Sequence, residues 1–388
     1  MTFKKAIGKV HLWLGLASGL VVLFLGITGC ILAFQREIEN TFQRYRYVEV
    51  QQQPMLAPSA LQKVAERELP GKHAHSVTYM GPGKAAMVGF YSAEPAYYDL
   101  VYLNPYSGKV LKVKDMNRDF FRVVIMGHFY LWLPPAIGQP IVASATLIFV
   151  VMMITGIILW WPKNKSARKQ RFSVKWDAKW RRKNYDLHNV FGFYMTWIAI
   201  FIALTGLVWG FQWFAGSVYW VTSGGKKMVE WSETHSKAIP AQPVTGGEPA
   251  PDKLWRAMLP DLNPEGSMDV HFPENDSSSI EVAMNPDIST YWKADYRYFD
   301  QYTLEEIPVK HAYGRFANTS TAEKIQRMNY DLHVGAVLGL PGKILAFLAS
   351  LVAGSLPVTG FLIWWGRKNK KPAKAAPKKV KPALVLQP

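Results

Sequence analysis

The chain has 388 residues, 49% of them hydrophobic, a formal net charge of +17 at pH 7 and a single cysteine, Cys30. One cysteine excludes a disulfide framework, a Cys-x-x-Cys metal site and a covalently attached c-type haem. The basic surplus does not point to nucleic acid, because it is concentrated beside long apolar runs, where it reads as a membrane-topology signal.

Four runs, Leu12–Phe34, Ile141–Trp161, Phe191–Phe214 and Ile344–Trp365, contain no Asp, Glu, Lys or Arg. Each has the length of a helix that crosses a hydrocarbon core of roughly 30 Å. In chain order, residues 1–34 form the first transmembrane helix. It follows Lys4, Lys5 and Lys9 and lacks a small-x-small cleavage site, so it reads as an uncleaved signal anchor. Residues 35–121 are a first outer domain. Pro58–Glu68 has helical spacing, and Ser76–Met80, Ala86–Tyr91, Tyr97–Leu103 and Lys109–Val113 alternate as strands, the last two joined by the turn Asn104–Gly108. Residues 122–162 hold the amphipathic end of Arg118–Trp132, a break at Pro134, Pro135, Gly138 and Pro140, and the second transmembrane helix.

Residues 163–184 are a basic loop, with ten Lys and Arg between Lys163 and Lys183 against one acid, Asp177. Residues 185–214 are the third transmembrane helix, opening on YDLHNVFG. Residues 215–327 are a second outer domain, with a Gly/Pro-rich linker at Ser236–Pro251 and strands at Met268–Phe272, Ser279–Met284 and Tyr291–Asp300. Residues 328–366 hold the end of Thr321–Leu338, a break at Pro341-Gly342 and the fourth transmembrane helix. Residues 367–388 are a basic tail. The positive-inside rule places both termini and the 163–184 loop in the cytoplasm, and both large loops outside, in the periplasm of a Gram-negative cell. The expected fold is therefore an α-helical membrane protein with four transmembrane helices and two α+β outer domains.

The two halves repeat. His11 and His188 each stand 17 residues before a Thr-Gly pair, Thr28-Gly29 and Thr205-Gly206. The second run ends ITGIILWWPKNK and the fourth ends VTGFLIWWGRKNK. His128 and His333 are offset by 205 residues, Trp160 and Trp364 by 204. Both halves run in the same sense, so the arrangement reads as two tandem parallel repeats.

Depth pairs the histidines. His11 and His188 precede helices that leave the cytoplasm, and His128 and His333 precede helices that return to it. Two histidines per leaflet suit two b-type haems, each held by a pair of imidazoles, which makes His11, His188, His128 and His333 the candidate metal ligands. A lone histidine at a helix end is more often a wetted interfacial residue; four at repeat-related places outweigh that reading. Gly15 and Gly192, each four residues after a histidine, leave room on the same helix face for a flat macrocycle. Arg122 and Arg327, each six residues before an outer histidine, suit haem propionates. The Thr-Gly pairs read as helix packing, and Trp160, Trp161, Trp364 and Trp365 as an interfacial belt. His73 and His75 share a strand face and read as surface residues; His235, His271 and His311 carry no signal.

The opening HLWLGLASGL with ITG, the repeated YDLH and the two WW-basic endings resemble the PepSY-associated transmembrane-helix family, and within it the FoxB-type inner-membrane siderophore reductases. The resemblance covers nearly the whole chain. It likens the outer hairpins YLNPYSGKVL and YFDQYTLEEIPV to PepSY elements, the second without the turn glycine, and so implies two PepSY-like periplasmic domains. It implies a haem-dependent oxidoreductase in the bacterial inner membrane, with two haem b per chain. Electrons from a cytoplasmic donor or a membrane quinol would reduce ferric iron in a periplasmic siderophore, releasing Fe(II). The four histidines match the family's positions. Two rivals from other classes are a haem-free sensory or regulatory protein on an inert anchor, and a transporter. The transporter lacks the buried carboxylates that ion coupling uses, and no glycine fingerprint for NAD(P)H is present.

Overall fold

The computed structural model describes residues 2–162, 171–237 and 247–369. Residues 163–170 of the basic loop, 238–246 of the 236–251 linker and 370–388 of the tail lie outside the described residues. Among the described residues, four helices are long and apolar enough to cross a membrane: α1 (Phe3–Ala33), α5 (Pro135–Trp160), α6 (Trp180–Gly210) and α10 (Gly339–Lys368). They pack in a ring, α1 on α5, α5 on α6, α6 on α10 and α10 on α1. Trp13, Leu20 and Ile27 recur every seven residues along the outside of α1, and Leu20 is 79% exposed. Water would penalise such a stripe and lipid accepts it, so the ring is built for a bilayer.

Small residues set the closest crossing. A Cβ added to Gly26 would lie 2.6 Å from the Gly354 Cα of α10. Gly26→Val is therefore expected to force α1 and α10 apart and to cost about 3 kcal/mol, the upper end of overpacking costs. The check is the thermal midpoint in detergent, with Gly216→Ala as the neutral control, since nothing lies within 4 Å of a Cβ there.

The other helices are α2 (Gln35–Phe42), α3 (Pro58–Glu68), α4 (Phe120–Tyr130), α7 (Gln212–Thr222), α8 (Ala250–Met258) and α9 (Thr321–His333). The strands are β1 (Ala74–Met80), β2 (Ala86–Ala93), β3 (Ala96–Leu103), β4 (Val110–Asp115), β5 (Ser267–His271), β6 (Ser279–Asn285), β7 (Asp295–Asp300) and β8 (Glu306–Ile307). All eight join one antiparallel sheet in the order β4-β3-β2-β1-β5-β6-β7-β8. Where the sequence suggests two outer domains, the two segments share a single sheet, sewn along β1 and β5 with Ser76 opposite His271 and Thr78 opposite Asp269.

One face of this sheet carries Val77, Tyr79, Val88, Val101, Met268 and Val282 into a core covered by α3 and α8. Asp252 of α8 accepts from the backbone N–H and the hydroxyl of Ser59, so one half caps the first turn of the other half's helix. The opposite face of the sheet is more polar and looks toward the ends of the membrane helices.

The breaks before α5 and α10 differ from the sequence expectation. Leu131 and Trp132 both have positive φ and turn the chain from α4 toward α5, which then begins at Pro135 and runs through Pro140. Gly335 and Gly339, at φ +76° and +63°, make the turn from α9. Pro341 and Gly342, expected to break the helix, lie inside the first turn of α10, where a proline forfeits no internal hydrogen bond. Trp160 does not join an interfacial belt. It is buried and stacks on Phe193 of α6, 3.7 Å between ring centres, whereas Trp161 is exposed.

Candidate functional site

Each of the four histidines meets a Thr-Gly pair on a neighbouring element. His11 Nδ1 lies 2.9 Å from Thr155 Oγ1 of α5, and His188 Nδ1 lies 2.9 Å from Thr359 Oγ1 of α10. His128 Nδ1 lies 2.8 Å from Thr28 Oγ1 of α1, and His333 Nδ1 lies 2.9 Å from Thr205 Oγ1 of α6. Every one of these hydroxyls also reaches a carbonyl of its own helix: Met152, Ser355, Phe24 and Phe201 respectively. A hydroxyl has one proton, and the helix carbonyl takes it, so the oxygen accepts from Nδ1–H. For His333 the Ile202 carbonyl, 3.0 Å from Nδ1, fixes the same tautomer, since a carbonyl only accepts.

The consequence is chemical. With Nδ1 protonated, each imidazole presents the Nε2 lone pair, the form that binds a metal. Among the described residues no hydrogen bond engages Nε2 of any of the four. The glycine after each threonine makes room for the ring. Cε1 of His128, His11, His333 and His188 lies 3.7, 3.5, 3.5 and 3.2 Å from where a Cβ would sit on Gly29, Gly156, Gly206 and Gly360. The threonine orients the imidazole and the glycine admits it. The packing role read from the sequence misses this.

His128 and His333 face each other at the sheet end of the ring. Their ring centres are 6.2 Å apart, with the planes at 69°. Two metal–imidazole bonds of about 2 Å each, plus the two ring radii, predict roughly 6 Å for imidazoles on opposite sides of one metal. The pair borders a cavity of about 450 Å³ whose walls include Gly26, Ala143, Ala203, Gly206, Ala346 and Ala349. Small side chains on all four membrane helices thus leave open space beside two poised Nε2 atoms, and donors, spacing and room fit a bis-histidine haem. At the opposite end of the ring, His11 and His188 repeat the threonine-anchored geometry. Among the described residues no three His, Cys, Asp or Glu side chains are grouped to hold a metal ion.

A model of the PepSY-associated TM region family matches residues 9–367. The chain belongs to this family. Comparison with curated proteins gives no match. This PepSY-associated chain is accordingly a membrane protein, with its sheet at one end of the bundle.

Four other residues singled out in the sequence lie differently from expectation. The room expected beside Gly15 is taken by the Met152 side chain, 2.8 Å from where a Cβ would sit, and that beside Gly192 by Leu356, at 3.4 Å. Arg122 lies over the Tyr98 ring, 5.3 Å from its centre, and does not line the cavity. Arg327 does not line it either. It is buried and donates to the carbonyls of Ala312, Ala294 and Gly314, each at 2.6 Å, so its guanidinium is a clamp on the loops around β7 and not an anion site.

A second cavity of about 430 Å³ lies between the polar face of the sheet and the helix ends. It shares Leu32, Ala33, Gln35, Tyr330 and Val334 with the first. Its walls carry Asp269, His271 and Glu281 from the sheet. Burial works against charge on His271, but the hydrogen bond and field of Asp269, with Glu281 and Glu274, raise it to about 9. Burial likewise opposes charge on Asp269, and His271 together with the Thr78 and Ser76 hydroxyls nevertheless holds its carboxyl below the ordinary value.

A histidine raised in the folded state contributes stability that is complete below its ordinary pKa of 6.5 and is lost as pH rises through about 9. The thermal midpoint is therefore expected to fall between pH 6.5 and 9.5, and Asp269→Asn to flatten that slope. An equal slope in the variant contradicts the assignment.

Proposed function

We propose that this chain is a two-haem inner-membrane reductase that carries electrons across the bilayer to ferric iron held in a periplasmic siderophore. The observation that carries the proposal is the fourfold repetition of one device: an imidazole pinned at Nδ1 by a threonine, its Nε2 left for a metal. His11 and His188 would hold one haem b, and His128 and His333 the other, giving two per chain. Haem iron, when bound, cycles between ferric and ferrous and so carries one electron at a time. In this reading both termini lie in the cytoplasm and the sheet in the periplasm, which the basic residues beside the membrane helices support. His11 and His188 then lie nearest a cytoplasmic donor or a quinol in the cytoplasmic leaflet, and the chamber under the sheet takes the ferric chelate next to His128 and His333. Fe(II) binds hard oxygen donors less tightly than Fe(III), so reduction releases the metal.

Anaerobic mixing tests this directly. Dithionite-reduced protein, freed of excess reductant, is mixed with a ferric trihydroxamate or ferric tris-catecholate in the presence of a coloured ferrous trap. The expected result is reoxidation of the haem band matched by trapped Fe(II). A reduced band that persists with both chelates contradicts the proposal.

The threonines are positioning residues in this account, acting through the imidazoles. Thr28→Val keeps the volume and removes the acceptor for His128 Nδ1–H. It is expected to weaken haem retention at the sheet end by about 10- to 100-fold, the usual cost of losing a partner behind a metal ligand. Thr28→Ser restores retention. The readout is haem per chain during titration with apomyoglobin as competitor, and equal retention in all three proteins contradicts the role.

A further inference from the structure

Four side chains cross the seam of the sheet in one unbroken hydrogen-bonded row. Glu274 Oε1 lies 3.1 Å from His75 Nδ1, His75 Nε2 lies 3.2 Å from His271 Nδ1, and His271 Nε2 lies 3.1 Å from Asp269 Oδ2. One end is in solvent, where the Glu274 side chain is 68% exposed. The other end, His271 and Asp269, lines the chamber. The register of β1 and β5 sets Ser76 opposite His271, and His75, the next residue, sits at an irregularity in the pairing of β1 with β2 between Ala74 and Ser76. No step of electron transfer uses these groups.

We propose that Glu274, His75, His271 and Asp269 conduct protons from solvent into the chamber, where they protonate the oxygen donors that a ferric chelate loses as its iron is reduced. This rests on the siderophore-reductase reading and adds the proton half of that reaction. Hydroxamate and catecholate donors bind iron as anions. When the iron takes one electron and passes from Fe(III) to Fe(II), each oxygen whose bond to iron breaks must gain a proton to leave as a neutral donor. A chelate that fills the chamber displaces the chamber's water, so those protons need a route through protein.

The row has the chemistry of such a route. An imidazole accepts a proton at one nitrogen and releases one at the other, and two in series span the seam. For each proton delivered, protonated His271 passes its Nε2 proton to the Asp269 carboxylate, and Asp269 gives it to the departing oxygen. After the two imidazoles turn to restore their acceptor nitrogens, one proton from solvent enters at Glu274 and reloads His271 through His75. The electron comes from the haem pair of the proposed function, so charge and atoms balance. The groups facing the row favour holding one proton on it. Glu281 adds a carboxyl beside His271 and Asp269, while Arg36, Arg46, Lys84 and Lys343 face them across the chamber. Glu39 is engaged by Arg46 at 3.0 Å, and Glu37 by Lys343 at 2.7 Å.

Two readouts test the row, both on the full-length, haem-loaded protein. The first is independent of turnover: the solvent-exchange rate of the His271 ring N–H, from ¹⁵N-histidine spectra of the ferrous protein with a Ga(III) trihydroxamate or Ga(III) tris-catecholate in the chamber. Ga(III) is redox-silent, so the chamber stays filled. His75→Ala and the milder surface change Glu274→Gln are each expected to slow this exchange about tenfold or more. A row that merely clamps the seam would, once cut, open the site and speed exchange, which overturns the proposal.

The second readout is Fe(II) release after anaerobic mixing. In His75→Ala it is expected to slow by about 100-fold, the lower end of what a positioned proton-transfer group contributes. Imidazole in the buffer is expected to restore it. Release at the wild-type rate in both variants overturns the proposal and leaves the reductase reading standing. Failure of the wild-type protein to bind either Ga(III) chelate and to reduce either ferric one removes both.

Discussion

His128→Ala is expected to leave the chain with one haem in place of two and to stop chelate reduction while the other haem still accepts electrons. His128 and His333 face each other across 6.2 Å and border one cavity, whereas His11 and His188 are anchored at the opposite end of the ring by Thr155 and Thr359. Removing one imidazole therefore empties one site only. The loss of Fe(II) production is expected to exceed roughly 100-fold, since even an outlying partner of a metal ligand is worth up to that much. Haem per chain and reoxidation by a ferric chelate are the two measurements. Equal loss of both haems means that the histidines pair across the ring in some other way. Two haems retained, with reduction intact, means that His128 is no ligand.

Arg327→Met carries the second large effect, and it separates two roles for this arginine. As a haem-propionate partner, Arg327 would matter to the loaded protein and little to the fold. The structure gives it another occupation, three buried carbonyls at 2.6 Å from the loops around β7. The guanidinium also lies over the rings of Tyr296 and Phe316. Methionine fills much of the space but leaves those carbonyls without donors in a site closed to water. Orphaned buried acceptors cost about 1 to 3 kcal/mol each and are not fully additive, so the total is about 3 to 5 kcal/mol. That corresponds to a fall in the thermal midpoint of roughly 10 °C for a domain of this size. Arg327→Lys is expected to rescue little of it, because one ammonium cannot reproduce a planar fork aimed at three carbonyls. An unchanged midpoint with weakened haem retention would return Arg327 to the propionate role.

How much of this was legible in the residues depends on how local each cause is. The four membrane helices could be read because lipid demands an apolar surface on every side, and twenty uncharged residues record that demand in one stretch. The helix at Pro58–Glu68 and seven of the eight strands follow from periodicity and turn residues, which also act locally. The union of the two outer segments into one sheet could not be read. The pairing of Ser76 with His271 joins strands almost 200 residues apart, and an alternating strand looks the same whether its edge meets a neighbour or solvent. The same distance hid the row from Glu274 to Asp269: His73 and His75 read as surface residues on one strand face, and His271 carried no signal.

The threonines are the instructive miss. Thr-Gly occurs four times within the apolar runs, at Thr28, Thr155, Thr205 and Thr359, and the candidate ligands also number four. That equality stands in the sequence itself, but small residues in membrane helices usually mean close packing, and only three-dimensional pairing shows that each threonine oxygen meets an imidazole. The arginines failed for the opposite reason. A spacing of six residues before each outer histidine suggested a shared role, yet Arg327 is buried among carbonyls and Arg122 lies on Tyr98.

The central claim is that two pairs of threonine-anchored imidazoles, one at each end of the ring, each hold one haem. A reduced-minus-oxidised absorption spectrum of the detergent-purified protein, with the haem quantified as its pyridine adduct against protein mass, tests it most directly. The account predicts a b-type spectrum with about two haems per chain. A colourless protein that stays colourless after growth with excess haem would contradict it.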